Sequence, residues 1–126
     1  FFFKPPLMSS VRASHLLIKH AGSRRAASWK DESGAIIGKR TKEQAREILM
    51  AHRAVIMAAA NPTEKFTELA KEHSDCSSAR AGGDLGDFKR GAMQKAFEDV
   101  AFALQVGEIS AECDSDSGLH IILRTA

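Results

Sequence analysis

An α+β domain is predicted, with a small sheet of about four strands and helices packed around it. Three observations predict it. The chain begins and ends in strand-like runs, residues 11–19 (VRASHLLIK) and 119–125 (LHIILRT). Apolar residues between them recur mainly at helical spacing. Gly, Asn-Pro and Asp-Ser clusters separate the runs as turns do. At 126 residues the chain holds one domain, large enough for a core without covalent staples.

The elements follow in order. Residues 11–19 alternate, with Ala13, His15, Leu17 and Lys19 on one face and Ser14, Leu16 and Ile18 on the other. Residues 20–40 dissolve into Gly, Ser, Ala and charges, a long loop of the functional or mobile kind. Thr41 and Gln44 have capping-box spacing and open a helix with Ala45, Ile48, Leu49, His52, Ile56 and Ala59 on its apolar stripe. Asn61-Pro62 ends that helix. Thr63 caps the next, which aligns Phe66, Leu69, Ala70 and His73.

Residues 74–81 suit a turn or one short helical turn, and residues 84–88 a short strand. Gly91 leads into a helix with Met93, Phe97, Val100, Ala101 and Leu104 on one face and Gly107 as its stop. Residues 108–113 read as a strand, 114–118 as a turn and 119–125 as the β-branched final strand. Residues 1–10 read as an N-terminal arm or a remnant added in expression, with Met8 as a candidate natural start and 11–126 as the domain. Three phenylalanines before two prolines are not the apolar core of a secretory signal.

Composition narrows the function. No apolar run approaches the roughly 20 residues of a membrane helix, so no membrane partner is expected. The net charge of +2 is too mild for a surface that binds nucleic acid without specificity. Two cysteines are too few for a disulfide scaffold, which points to a reducing compartment.

His15 and His120 sit mid-strand near opposite ends of the chain, where strands often become central neighbours. Cys76 lies in a polar turn just after a helix. Each histidine reads equally as a half-buried core residue. His73 and Cys76, three apart, with His15, His20 and His120 form a conceivable metal set, though no CxxC or HExxH motif is present. A Cys-His hydrolase is a third reading. Lys19, Arg24 and Arg25 read as a solvated patch or as an oxyanion cradle, since paired guanidiniums suit phosphate. Leu85, Met93 and Phe97 read as core or as the wall of a shallow pocket.

One resemblance separates these readings. The segments ASHLLIKH, SRR with SW, FTELAKEHSDCSSARAGGDLGDF, RGAMQKAFEDVAFAL, VGEIS and DSGLHIILRT run from residue 11 to the end. Together they resemble the parvulin-type peptidyl-prolyl cis-trans isomerases, in particular their eukaryotic, phospho-dependent Pin-type branch. The resemblance implies a parvulin-like fold of four antiparallel strands and about four helices. It implies a catalytic cluster of His15, Cys76 and His120 with Ser115 and Ser117 beside it. It assigns Lys19, Arg24 and Arg25 to phosphate, and Leu85, Met93, Gln94 and Phe97 to a proline pocket. Ala96 stands where this family commonly has proline, and residues 34–38 lengthen the loop after Trp29.

A single Trp, with about ten residues before the first strand, leads to the expectation that the WW domain of many relatives is absent. The expected activity is rotation of phosphoSer/Thr-Pro bonds by a monomer in the cytoplasm, the nucleus or both. Its partners are phosphorylated Ser/Thr-Pro proteins or peptides, and it needs no metal or other cofactor. The alternative is a non-catalytic phosphopeptide-binding module on the same scaffold.

Overall fold

Four strands and three helices build the domain, in a computed structural model that describes residues 9–126. β1 is Ser10–Ile18, β2 Asp84–Lys89, β3 Cys113–Ser115 and β4 Gly118–Arg124. They form one antiparallel sheet in the order β2-β1-β4-β3. The chain's first and last strands are therefore its central pair, with Ala13 opposite Arg124 and Leu17 opposite His120. The expected arm of residues 1–10 falls outside the described residues up to position 8, and Ser10 already belongs to β1.

The helices are α1 (Lys42–Ala58), α2 (Pro62–His73) and α3 (Lys95–Ala103). Two short 3-10 turns, Ile37–Lys39 and Ser77–Ala81, accompany them. The expected capping box of α1 is present: Gln44 N donates to Thr41 Oγ1 at 3.1 Å, and Thr41 N to Gln44 Oε1 at 2.9 Å. α2 starts earlier than Thr63, because Asn61 accepts from Glu64 N and Pro62 fills the first turn, where its missing N–H costs nothing.

Both faces of the sheet's centre are packed, so β4 and the second half of β1 are almost wholly buried, while Ser10 and Arg12 are exposed. Leu16, Ile18, Leu119, Ile121 and Leu123 face α1 and α2, where they meet Ala45, Leu49, Ile56, Phe66 and Ala70. Val11, Ala13 and Ile122 face α3, with Phe88, Phe97, Ala101 and Cys113. α3 covers only one end of that second face. Beyond Ala13 the same face of β1 continues as His15, Leu17 and Lys19, and there the site opens.

Residues 108–112 were expected within a strand and are not one. Only Ile109 bridges to Leu123, while Ile122 N bonds the Ser110 hydroxyl instead of a backbone carbonyl. A side-chain acceptor in the ladder breaks the regular pairing. Asp114 and Ser115, expected in the turn, pair with Leu119 and Gly118 and extend β3.

Candidate active site

β2 pairs with β1 only from Ser10 to Ser14, so the second half of β1 needs other partners. The segment after α2 supplies them. Gly83 O accepts from His15 N at 2.9 Å, Ser74 Oγ from Leu17 N at 3.0 Å, and Asp75 Oδ2 from Lys19 N at 2.9 Å. Asp75 N returns a bond to Leu17 O at 2.7 Å. Position 83 must be glycine: it has φ +89, and a Cβ there would sit 2.3 Å from His15 O. This splint seats Cys76 beside His15.

His15 and His120 share a face on neighbouring strands, one step apart in register. Their Nδ1 atoms are 2.9 Å apart and their rings stack at 5.1 Å. Phe97 meets both rings edge-on, at 5.6 and 5.2 Å. Ser115 Oγ lies 2.5 Å from His120 Nε2. Burial, and then the neighbouring His15, push the pKa of His120 far below the ordinary imidazole value. His120 is thus a neutral ring with one N–H to share between His15 and Ser115.

Cys76 is half-buried. Burial alone raises its pKa, but interactions with His15, and then with Ser78, win and bring it down to about 6. His15 Nε2 is buried with no hydrogen-bond partner among the described residues, which leaves that nitrogen available to the thiol.

A cavity of about 280 Å³ opens over this cluster. Its walls include His15, Cys76, Ser115, Ser117 and His120 on one side and Leu85, Met93, Gln94 and Phe97 on the other, with Arg24 at the edge. Met93 is not helical as expected; it precedes α3, whose N-cap is Gln94. The Gln94 amide is committed to the β3–β4 turn. Its Nε2 donates to Ser117 Oγ at 2.8 Å and its Oε1 accepts from Asp116 N at 2.9 Å. The loop that carries Met93 is tied down by buried Glu98, which accepts from Gly91 N at 2.5 Å.

A second cavity adjoins the first through His15, Cys76 and Ser117. It is also lined by Lys19, Arg25, Ser28, Asp75 and, on the rim, Glu32. The loop of residues 20–40 that brings Arg24 and Arg25 here is extensively tied. Arg24 N donates to Asp116 O at 2.7 Å, Trp29 Nε1 to Ser74 O at 2.8 Å, and Asp31 Oδ2 accepts from Ile36 N and Ile37 N. Lys19 Nζ spends one donor on Ala27 O at 2.8 Å. Burial, and then the charge of Arg25, push the pKa of Lys19 down. Among the described residues, the Arg24 and Arg25 guanidiniums have no ion-pair or hydrogen-bond partner.

All three sequence-derived groups therefore line two adjoining cavities. The metal set does not assemble: His73 stacks on His52 at 4.4 Å, and His20 Nδ1 accepts from Gly22 N. Among the described residues, no group of three or more His, Cys, Asp or Glu is arranged to hold a metal. Sequence reasoning missed Asp75 and Glu98. Asp75 stands beside Cys76 and Glu98 in the first turn of α3, and each resembles an ordinary surface acid until its buried partners are seen.

A small antiparallel sheet bearing a buried histidine pair and a thiol beside an apolar hollow defines a prolyl-isomerase scaffold of the rotamase class. Comparison with known proteins agrees. Residues 15–126 match the family described as rotamase, PPIC-type PPIase domain. The chain is 55% identical to the peptidyl-prolyl cis-trans isomerase Pin1 of Digitalis lanata, over 91% of this chain and 95% of that one. It is 56% identical to Pin1 of Arabidopsis thaliana, over 92% and 95%. Among solved structures, the peptidyl-prolyl isomerase ESS1 from Candida albicans superposes with a TM-score of 0.83 at 46% identity, covering 93% of this chain and 63% of that one. The chain belongs to the PPIC-type peptidyl-prolyl cis-trans isomerases and is of the Pin1 type.

Proposed function

We propose that this isomerase acts on phosphoSer/Thr-Pro bonds and rotates them without forming a covalent intermediate. The observation that carries the reading is the junction of the two cavities at His15, Cys76 and Ser117. On one side lies an apolar hollow sized for a proline ring. On the other lie Lys19 and Arg25, with Arg24 at the edge of the hollow. A phosphate brings about −1.5 to −2 charges and suits paired guanidiniums.

The roles follow the chemistry. Leu85, Met93 and Phe97 grip the ring, and Gln94 holds the turn that closes the hollow. Lys19, Arg24 and Arg25 grip the phosphate. The prolyl amide then lies across His15, Cys76, His120, Ser115 and Ser117. The barrier is loss of amide resonance, about 18–20 kcal/mol for a peptide bond. A useful rotamase must remove about 5–8 kcal/mol of it, at about 1.4 kcal/mol per tenfold. Holding both ends of the bond and fitting the perpendicular amide better than either planar form provides this. The thiolate and the imidazole pair tune the charge around the carbonyl, which loses conjugation as the bond turns. Every side chain used comes from one chain, which supports a monomer. Two free thiols support a reducing compartment, the cytoplasm or the nucleus.

The test is exchange NMR on matched pSer-Pro and Ser-Pro peptides. The wild type is expected to favour the phosphorylated peptide by at least tenfold in kcat/KM. R24A/R25A should remove most of that preference. A double variant that keeps the preference contradicts the cradle.

A further inference from the structure

The groove continues past the phosphate cradle. A third cavity, about 430 Å³, is lined by Trp29, Lys71, Ser77 and Arg80. Trp29 and Ser77 also line the cradle cavity, so the two adjoin. The surface inside is mainly apolar. Trp29 is part of the lining: its indole N–H is fixed to Ser74 O at 2.8 Å, yet the residue remains 47% exposed. The indole therefore offers the cavity an apolar face in a fixed orientation.

The charges at this cavity are one-sided. Lys71 comes from the last turn of α2 and Arg80 from the 3-10 turn Ser77–Ala81. Among the described residues, neither cation has an ion-pair or side-chain hydrogen-bond partner. Among the described residues, no acid lines the cavity. Two uncompensated cations beside one apolar wall are complementary to an anion carried on a short hydrocarbon stem.

We infer that this cavity is a second anion subsite for the same peptide. It takes the side chain of a Glu, or of a second phosphorylated Ser or Thr, that precedes the phosphoSer/Thr-Pro pair. The methylene stem lies on Trp29, and the anion lies between Lys71 and Arg80. The order of the cavities sets the direction. Proline follows the phosphorylated residue in the chain, so a path leaving the proline hollow through the cradle leads to preceding residues. The two cavities share Trp29 and Ser77, so the anion comes from a residue a short way before the phosphorylated one, and the positions upstream are scanned in turn. This inference rests on the phosphoSer/Thr-Pro reading above.

The experiment measures kcat/KM by exchange NMR for pSer-Pro peptides, each also made with unmodified Ser before proline. One residue, two, three or four positions upstream, is Ala, Gln, Glu, pSer or Phe. The quantity read is the ratio to Ala within each protein variant. In the wild type, Glu is expected to give about a two- to fivefold gain at one of these positions, the range of an exposed ion pair, and pSer a larger one. Gln should give none. K71Q/R80Q should return the ratio to about one, and K71E/R80E should bring it below one.

A wild-type ratio near one for both Glu and pSer overturns the subsite. So does a gain that survives in K71Q/R80Q, or a gain for Phe exceeding that for Glu, which would make the cavity a purely apolar pocket. If any of these occurs while pSer-Pro is still favoured over Ser-Pro, only the subsite fails. If that preference is absent but a Glu gain dependent on Lys71 and Arg80 persists, the subsite stands and the cradle reading fails.

Discussion

The two cysteines show how one residue type acquires opposite chemistry from its surroundings. Cys76 is brought down to about 6, because His15 and Ser78 outweigh burial. Cys113 is pushed up to about 11 by burial and then by the charges of Asp114 and Glu112. For Cys76 the lowered value means thiolate above about pH 6 and thiol below it. Iodoacetamide at pH 7 should therefore alkylate Cys76 and spare Cys113 in the folded protein. Its rate should rise with a midpoint near 6, against about 8.5 for an ordinary thiol. A midpoint near the ordinary value, read by mass spectrometry across pH, contradicts the thiolate–imidazole pairing. Cys76, His15 and His120 were legible in the sequence because their residue types are chemically informative. Asp75 and Glu98 were not, since burial alone turns an ordinary acid into a tie for the backbone.

At the scale of elements, helix caps and strand pairs carry the site. Gln94 ends one element and braces another: it is the N-cap of α3, and its amide holds the β3–β4 turn through Ser117 and Asp116. Q94A should remove both bonds, at about 0.5–1.5 kcal/mol each. Hydrogen exchange at the Asp116 amide should accelerate, and kcat/KM should fall several-fold. Unchanged exchange at Asp116 would mean that the turn is held by other groups.

Periodicity found β1, β4 and the body of each helix, because their apolar residues recur at fixed intervals. It placed a strand over residues 108–112, where alternation persists but Ser110 substitutes its hydroxyl in the ladder. It read the α3 face as reaching back to Met93, although the helix begins at Lys95. Both misreadings involve side-chain hydrogen bonds to residues distant in sequence, which leave no periodic trace. The splint of Ser74 and Asp75 against β1 escaped for the same reason.

The whole molecule is a sheet clamped unequally. α1 and α2 cover one face fully, whereas α3 covers half of the other and leaves the site beyond it. Phe66, fully buried in the α1–α2 core, lines neither site cavity. F66A should cost about 3–5 kcal/mol in denaturant unfolding. A cost under 1 kcal/mol would show that this core does not hold the sheet. The fold class and the central pairing of the terminal strands were legible from the sequence, and the residues that the resemblance names line the two cavities. The meeting of the cavities was not, because it depends on where α3 begins.

In the proposed mechanism the bond rotates between two grips with no bond made or broken. Exchange NMR on a pSer-Pro peptide with wild type, C76D and C76A tests it most directly. C76D, which restores a negative charge but cannot act as a thiol nucleophile, is expected to retain substantial cis–trans exchange and to exceed C76A. If C76D binds the peptide normally but its exchange falls to the uncatalysed rate, non-covalent rotation is contradicted.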